Sequence, residues 1–352
     1  MLLLLPLAGA VDLPDVGPWD RVRVDVPAWP GAEATSAGGS VLLTPPPAGT
    51  GWRVEEAPSL DSYDAVEAIE AMAVQPWHDA GADGTGVKVA VFDVQWFNAE
   101  LWASELGEYT THDCQAHQSC DLPMDTFRPR YGFEEGSHGV ACAQVIRDVA
   151  PGVELHLVRV NGPTTFENAA AWAVREGIDI VSMSMSFFNN SFHDGSGMVN
   201  AAVDTMTAGG VLLVNSAGNY AEEHWVGDFA DADGDGDHDF DWGGNFLPVY
   251  YGDGTHSVQL SWDQFGACGD TDLDLYAYDR AGNVVGRAEA VQDAEADSCT
   301  PVERLRLTAA ETDWYWLRVV RKSGDPSTRF AIFARGGEAW RTEPGSLADP
   351  AS

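Results

Sequence analysis

From residue 87 the chain exchanges two hydrophobic rhythms in turn. Val87–Val94 (VKVAVFDV) is a nearly unbroken apolar run, the pattern of a strand buried on both faces. Residues 138–148 read as a helix, and Val153–Val160 as a second buried strand. Phe166–Glu176 predicts a helix with Phe166, Ala170, Ala173 and Val174 on one face. Ile178–Ser186 (IDIVSMSMS) predicts a strand. Met198–Ala208 predicts a helix with Val199, Ala202, Val203 and Met206 in helical spacing, and Val211–Ala217 (VLLVNSA) a further strand. Strands alternating with helices predict an α/β layer, a doubly wound parallel sheet covered on both faces. Functional groups in such a sheet gather at the carboxyl ends of the strands.

After residue 224 the helical rhythm stops. Val258–Trp262, Leu273–Tyr278, Val302–Thr308, Trp314–Val320 and Arg329–Ala334 are short alternating runs, separated by turn signals such as Ala281-Gly282-Asn283. They predict an all-β sandwich over residues 225–340, with Trp314, Trp316 and Trp340 expected in its core rather than on a sugar. Upstream, residues 12–70 are rich in Pro, Gly and Ala and read as a linker or a reduced pro-segment, with a short amphipathic helix at Asp64–Met72. No internal repeat is present.

Charge then narrows the partners. The 352 residues hold 55 acidic and 19 basic side chains, a formal charge of −36. Such a surface repels nucleic acid and anionic lipid, so no nucleic acid and no membrane is expected as a partner. It suits a calcium-rich or salty exterior, although a coding bias towards Arg, Ala, Gly and Asp gives the same balance. Residues 1–11 resemble a secretion signal, with an apolar run at Leu2–Leu7 and small residues at Ala8-Gly9-Ala10, but no basic residue precedes the run. A secreted monomer is expected. In an oxidising compartment the economical assignment of the five cysteines is two disulfides, 114–120 and 268–299, with Cys142 buried and free.

Three islands carry chemistry: Gly84–Asp93 (GTGVKVAVFD), Ser137–Ala143 (SHGVACA) and Asn215–Asn219 (NSAGN). Singly, each has an ordinary reading. A strand-end Asp caps a turn, a His at a helix start is solvated, and an Asn after Gly serves a turn. In this order and on this frame they resemble the subtilisin-like (subtilase) serine proteases over about residues 71–224. The resemblance implies an incomplete subtilisin-like sheet with the sandwich inserted at 225–340 and a return to the protease domain at 341–352. It implies Asp93 as the group that orients the histidine, His138 as general base and then acid, and Asn219 as the oxyanion donor. The strand DIVSMSMS resembles the family's substrate strand, so Ser184, Met185 and Ser186 are expected to pair with an extended peptide. Protein or peptide substrates are implied, and no cofactor for catalysis.

The chain also departs from the family. Ala141 stands where a second His is usual, and Ser186 replaces a glycine, which narrows the pocket beside the cleaved bond. The run HGVACAQVIRDVAP is closer to secreted bacterial members that carry an inserted sandwich. The nucleophile segment G-T-S-x-A-x-P is absent: Gly254-Thr255 is followed by His256, Gly195-Ser196-Gly197 lies upstream of Asn219, and Gly345-Ser346 lacks the Thr-Ser pair. The expectation is therefore a protease fragment holding Asp, His and Asn but not Ser, inactive alone. The alternative is a catalytically inactive secreted peptide- or calcium-binding pseudoprotease. A hydrolase or dehydrogenase of another class lacks its G-x-S-x-G elbow or G-x-G-x-x-G loop. Within the insertion, Asp231, Asp233 and Asp235 copy the start of a calcium loop, but Trp242 stands where the closing Glu belongs. Structural calcium and a solvated acidic loop are both open readings.

Overall fold

The computed structural model describes residues 69–114, 119–126, 136–188, 191–192, 195–265, 270–292 and 301–339, with Leu347, Pro350 and four short N-terminal strands. The chain divides into two compact units, Met1–Ala80 and Gly81–Ser352. In the first, β1 (Arg21–Arg23) pairs antiparallel with β4 (Arg53–Glu55), and β2 (Ala32–Ala34) with β3 (Ser40–Leu42). A short helix, α1 (Gln75–Asp79), follows. Of the helix expected at Asp64–Met72, only its end lies among the described residues, where 69–71 are helical.

The second unit contains the α/β layer and the sandwich. Five parallel strands lie in the order β6 (Tyr109–Asp113), β7 (Glu154–Arg159), β5 (Lys88–Asp93), β8 (Ile180–Met183) and β9 (Leu212–Asn215). The helix α3 (His138–Val149) packs on one face with Val89, Val91, Leu155 and Leu157. On the other face α4 (Pro163–Glu176) and α5 (Gly197–Ala208) bury Phe166, Trp172, Val199 and Met206 against Phe92, Val158 and Val181. The chain leaves β5 to one side for β6 and β7 and returns to its other side for β8, so the carboxyl end of β5 is the switch point where such sheets place ligands. A short α2 (Ala103–Leu106) lies between β5 and β6. Among the described residues no helix is long and apolar enough to cross a membrane.

Hydrophobic pattern locates four of these strands but not β6, whose YTTHD is polar. This is an edge strand held from the side. His112 stacks 4.4 Å from the Trp172 ring of α4 and lies 3.2 Å from His156 of β7. The disulfide Cys114–Cys120 closes the loop beyond it. Cys142 is free and half-buried, and Cys268 and Cys299 lie outside the described residues.

The sandwich is antiparallel throughout. One sheet runs β10 (His224–Asp228), β17 (Arg329–Arg335), β12 (Gly254–Trp262), β15 (Val302–Ala309). The other runs β14 (Val284–Ala288), β13 (Asp272–Tyr278), β16 (Asp313–Ser323), β11 (Leu247–Tyr251), β18 (Gly337–Ala339). Trp262, Tyr251, Leu260, Leu275 and Phe330 fill the space between them. Trp314 corrects the expectation for the tryptophans: period-2 alternation along β16 turns Tyr315, Leu317 and Val319 inward, leaving Trp314 outside against Tyr250. Trp316 is half-buried and Trp340 lies outside the described residues.

Candidate active site

Two strands end earlier than their apolar patterns predict, and the leftover residues build the site. The strand β8 stops at Met183, so Ser184, Met185 and Ser186 leave the sheet as a loop. In the same way β9 stops at Asn215, releasing Ser216–Asn219. A hydrogen bond from Ser216 N–H to the Met183 carbonyl (3.0 Å) keeps the two loops side by side. Gly218 takes φ +82°, and a Cβ there would lie 2.9 Å from the Tyr220 ring and 3.3 Å from Ser186 Oγ. Only glycine makes this turn without strain.

Asp93 is the last residue of β5 and is 1% exposed. A buried carboxylate needs donors on its oxygens, and it has them. The Gln95 N–H donates to Oδ1 at 2.8 Å, and His138 Nδ1–H donates to Oδ2 at 2.6 Å. His138 is the first residue of α3, and Gly139 lets that helix approach β5. A Cβ at 139 would lie 2.7 Å from Asp93 Cβ and 2.9 Å from Trp96 Cζ2. The Asp93 hydrogen bond raises the His138 pKa above its ordinary value; partial burial opposes this and the aspartate charge adds to it. With Nδ1 committed, Nε2 is the open nitrogen, and it has no hydrogen-bond partner among the described residues.

His138 faces a cleft of about 760 Å³ with Val94 and Asn161, the loop residues Ser184–Phe187 and Ser216–Tyr220, and Arg335. All of Asp93, His138, Asn219, Ser184, Met185 and Ser186 are thus brought to one end of the sheet, Asp93 beneath the cleft and the others around it. Asn219 is exposed, and its amide makes no hydrogen bond with a described residue. Asn161, Phe187, Tyr220 and Arg335 belong to the same wall and went unread in the sequence. No local motif marks them, since Arg335 reaches the cleft from the far end of the sandwich.

Cys142 lies one turn beyond His138, and its sulfur lies within 4.8 Å of ligand atoms of Asp93 and His138. Burial and then the Asp93 charge push its thiol pKa up, with Ser184 as hydrogen-bond partner, so at neutral pH it is a thiol and a poor nucleophile. Asp231, Asp233 and Asp235 converge within 4.8 Å in the sandwich, far from this chemistry in the chain. Their carboxylates are partly engaged. Asp231 accepts from Gly234 N–H (2.7 Å) and Gly236 N–H (3.2 Å) and pairs with Arg321 (3.3 Å), while Asp237 is held by Arg318. Three convergent oxygens fit a calcium ion, and an arginine on one of them competes with it.

Residues 84–245 match the sequence profile of the subtilase family. Minor extracellular protease Vpr of Bacillus subtilis (strain 168) is 31% identical over 160 residues, 42% of this chain and 19% of that protein. The chain therefore spans about a fifth of that relative's length. The structure of the Clostridium perfringens CspB protease aligns with 82% of this chain and 70% of its own, at 11% identity and a TM-score of 0.46. Residues 84–245, which hold Asp93, His138 and Asn219, are thus the part of the chain that is similar in sequence to the subtilase family.

Proposed function

We propose that this chain is the aspartate–histidine–asparagine part of a secreted serine-type endopeptidase, and that its nucleophilic serine is not among these 352 residues. In this reading Asp93 fixes the tautomer and orientation of His138. His138 Nε2 takes the proton of an attacking hydroxyl and returns it to the leaving amine. The free Asn219 amide donates to the oxyanion of the tetrahedral intermediate, a contact worth about 3–4 kcal/mol; that figure is measured for an oxyanion asparagine of subtilisin itself. Ser184–Ser186 pair with an extended peptide through their main chain. The single observation behind the proposal is the buried Asp93–His138 pair, 2.6 Å apart, with Nε2 opening on a cleft that Asn219 also lines.

The unpartnered Nε2 also favours a second reading, an inactive secreted peptide-binding protein built on the same cleft. Both readings predict that a fluorophosphonate probe labels no residue of this chain and that bound peptides shift the His138 imidazole resonances. Covalent labelling of any serine would overturn the absent nucleophile. Peptides that bind without disturbing His138 would overturn the cleft. Restoring peptide-bond hydrolysis by adding a subtilase segment that bears the nucleophile separates the protease from the pure binder. Asp231, Asp233 and Asp235 would hold a structural calcium ion, neutralising charge that the loop otherwise repels. A chelator should then lower the melting temperature of the sandwich, and an unchanged melt would leave the loop solvated.

A further inference from the structure

We propose that Arg335, supplied by the sandwich, makes this cleft select peptides that carry an acidic side chain at one position. The proposal rests on the peptide-binding reading of the cleft. Among the described residues that line the cleft, Arg335 is the single Lys or Arg, and none is Asp or Glu. Elsewhere the protein is strongly acidic, at −36, so a guanidinium in the substrate cleft is a local reversal of sign.

The guanidinium is mounted rather than loose. Arg335 ends β17, a strand paired on both sides, with Ser257 of β12 opposite it. Its Cζ sits 5.0 Å over the Phe188 ring, which meets Tyr220 edge-on at 4.8 Å and Phe333 at 5.0 Å. Stacking fixes the plane of the fork and leaves its edge free for a bidentate carboxylate. It forms no ion pair with a described residue. Glu223 is the nearby carboxylate; burial raises its pKa, while the Gly336 N–H it accepts at 3.1 Å and the charge of Arg335 pull it down, so Arg335 feels this carboxylate without pairing with it. Tyr220 directly follows Asn219 and packs over Gly218, so the cation stands beside the proposed oxyanion corner, where it would meet a substrate side chain close to the reacting bond.

The acidic surface does not defeat this selection. At physiological salt the field of its exposed carboxylates fades within about 8 Å, so a peptide position beside Arg335 feels that cation more than it feels the distant surface. The distinguishing signature is therefore positional. Fluorescein-labelled heptapeptides in an Ala/Ser background, with Glu, Gln or Lys placed at each position in turn, are titrated against the full chain by anisotropy. At one position Glu should bind about tenfold more tightly than Gln, as expected for a charge-assisted pair partly open to water, and Lys more weakly than Gln. Arg335→Ala should erase the preference, and Arg335→Glu should invert the order of Glu and Lys at that position alone. Equal affinities for Glu, Gln and Lys at every position in the unaltered chain would overturn the proposal while leaving the cleft intact, whether or not the variants fold. An order unchanged in a folded Arg335→Glu variant would do the same. Failure of every peptide to bind would overturn the cleft reading itself, and this inference with it.

Discussion

His238 gives the sharpest test of how the sandwich is held together, because its environment admits only the neutral imidazole. It is 1% exposed, with its ring among Trp225 (4.9 Å), Phe229 (5.4 Å), Phe240 (4.5 Å) and Phe330 (4.8 Å). Nδ1 accepts the Ala230 N–H at 3.0 Å, so protonation would cost that bond and place a charge among aromatic rings. Burial lowers its pKa from 6.5 to about 4, against a smaller opposing pull from Asp239. The unfolded chain binds a proton near pH 6.5 and the folded chain near pH 4. Stability is therefore lost as pH falls between those values and is not lost further below them. At about 1.4 kcal/mol per pH unit, the loss attributable to His238 is about 3 kcal/mol. The assay is urea unfolding followed by tryptophan fluorescence at pH 7.5 and pH 4, for the natural chain and for His238→Gln, whose amide oxygen can still accept the Ala230 N–H. Most other titrating groups cancel in the comparison. The variant should lose less stability across this range than the natural chain, by about 3 kcal/mol. Equal losses would refute the argument, whatever the absolute stability of the variant.

Other consequences are open to similar measurement. Because the Asp93 hydrogen bond raises the His138 pKa, Asp93→Asn should lower the NMR titration midpoint of His138, and an unchanged midpoint would disconnect the pair. Gly139→Ala should destabilise the chain by about 1–3 kcal/mol and also lower the His138 midpoint, since its Cβ displaces Asp93. Glu303 is buried, and desolvation raises its pKa to about 7, aided by Asp274, Asp272 and Glu289. Its folded form keeps a proton that the unfolded chain releases above about pH 4.5, so stability falls as pH rises from there to 7. Glu303→Gln should then stabilise the protein at pH 8 and change little at pH 4, as read by thermal melts at the two pH values.

How much of this is legible in the sequence depends on the range of the interaction. Phe92, Val158 and Val181 announce their strands because burial on both faces demands unbroken apolar runs. Asp93, His138 and Asn219 each sit at the junction that local pattern assigns them. What fails is whatever a distant partner decides. The polar β6 is an edge strand held by Trp172, and β10 and β14 are short runs completed by neighbours across the sandwich. Asp272 and Asp274 alternate with apolar residues along β13 and yet are buried, because Glu303, Tyr276 and Lys322 close over that side. Arg335 carries no signal at all, since its place in the cleft is set by stacking on Phe188 and by the docking of one domain on the other.

That docking makes the sandwich part of the site. Directly after the Asn219 loop, the Glu223 carbonyl accepts the Ala334 N–H at 2.7 Å and its carboxylate the Gly336 N–H at 3.1 Å, while the Glu222 carbonyl accepts the Ala339 N–H at 2.9 Å. The loop that presents the Asn219 amide is thus stitched to β17 and β18 as well as to β8. Phe330, which walls in His238, lies on the same β17 that ends in Arg335. A proton forced onto His238 in acid therefore strains the strand that positions both the cation of the cleft and the anchor of the Asn219 loop. The Asp93–His138 pair is set instead by β5, α3 and the Gln95 turn between them, none of which belongs to the sandwich. Peptide affinity should accordingly fall on acidification before the His138 resonance loses the signature of its aspartate.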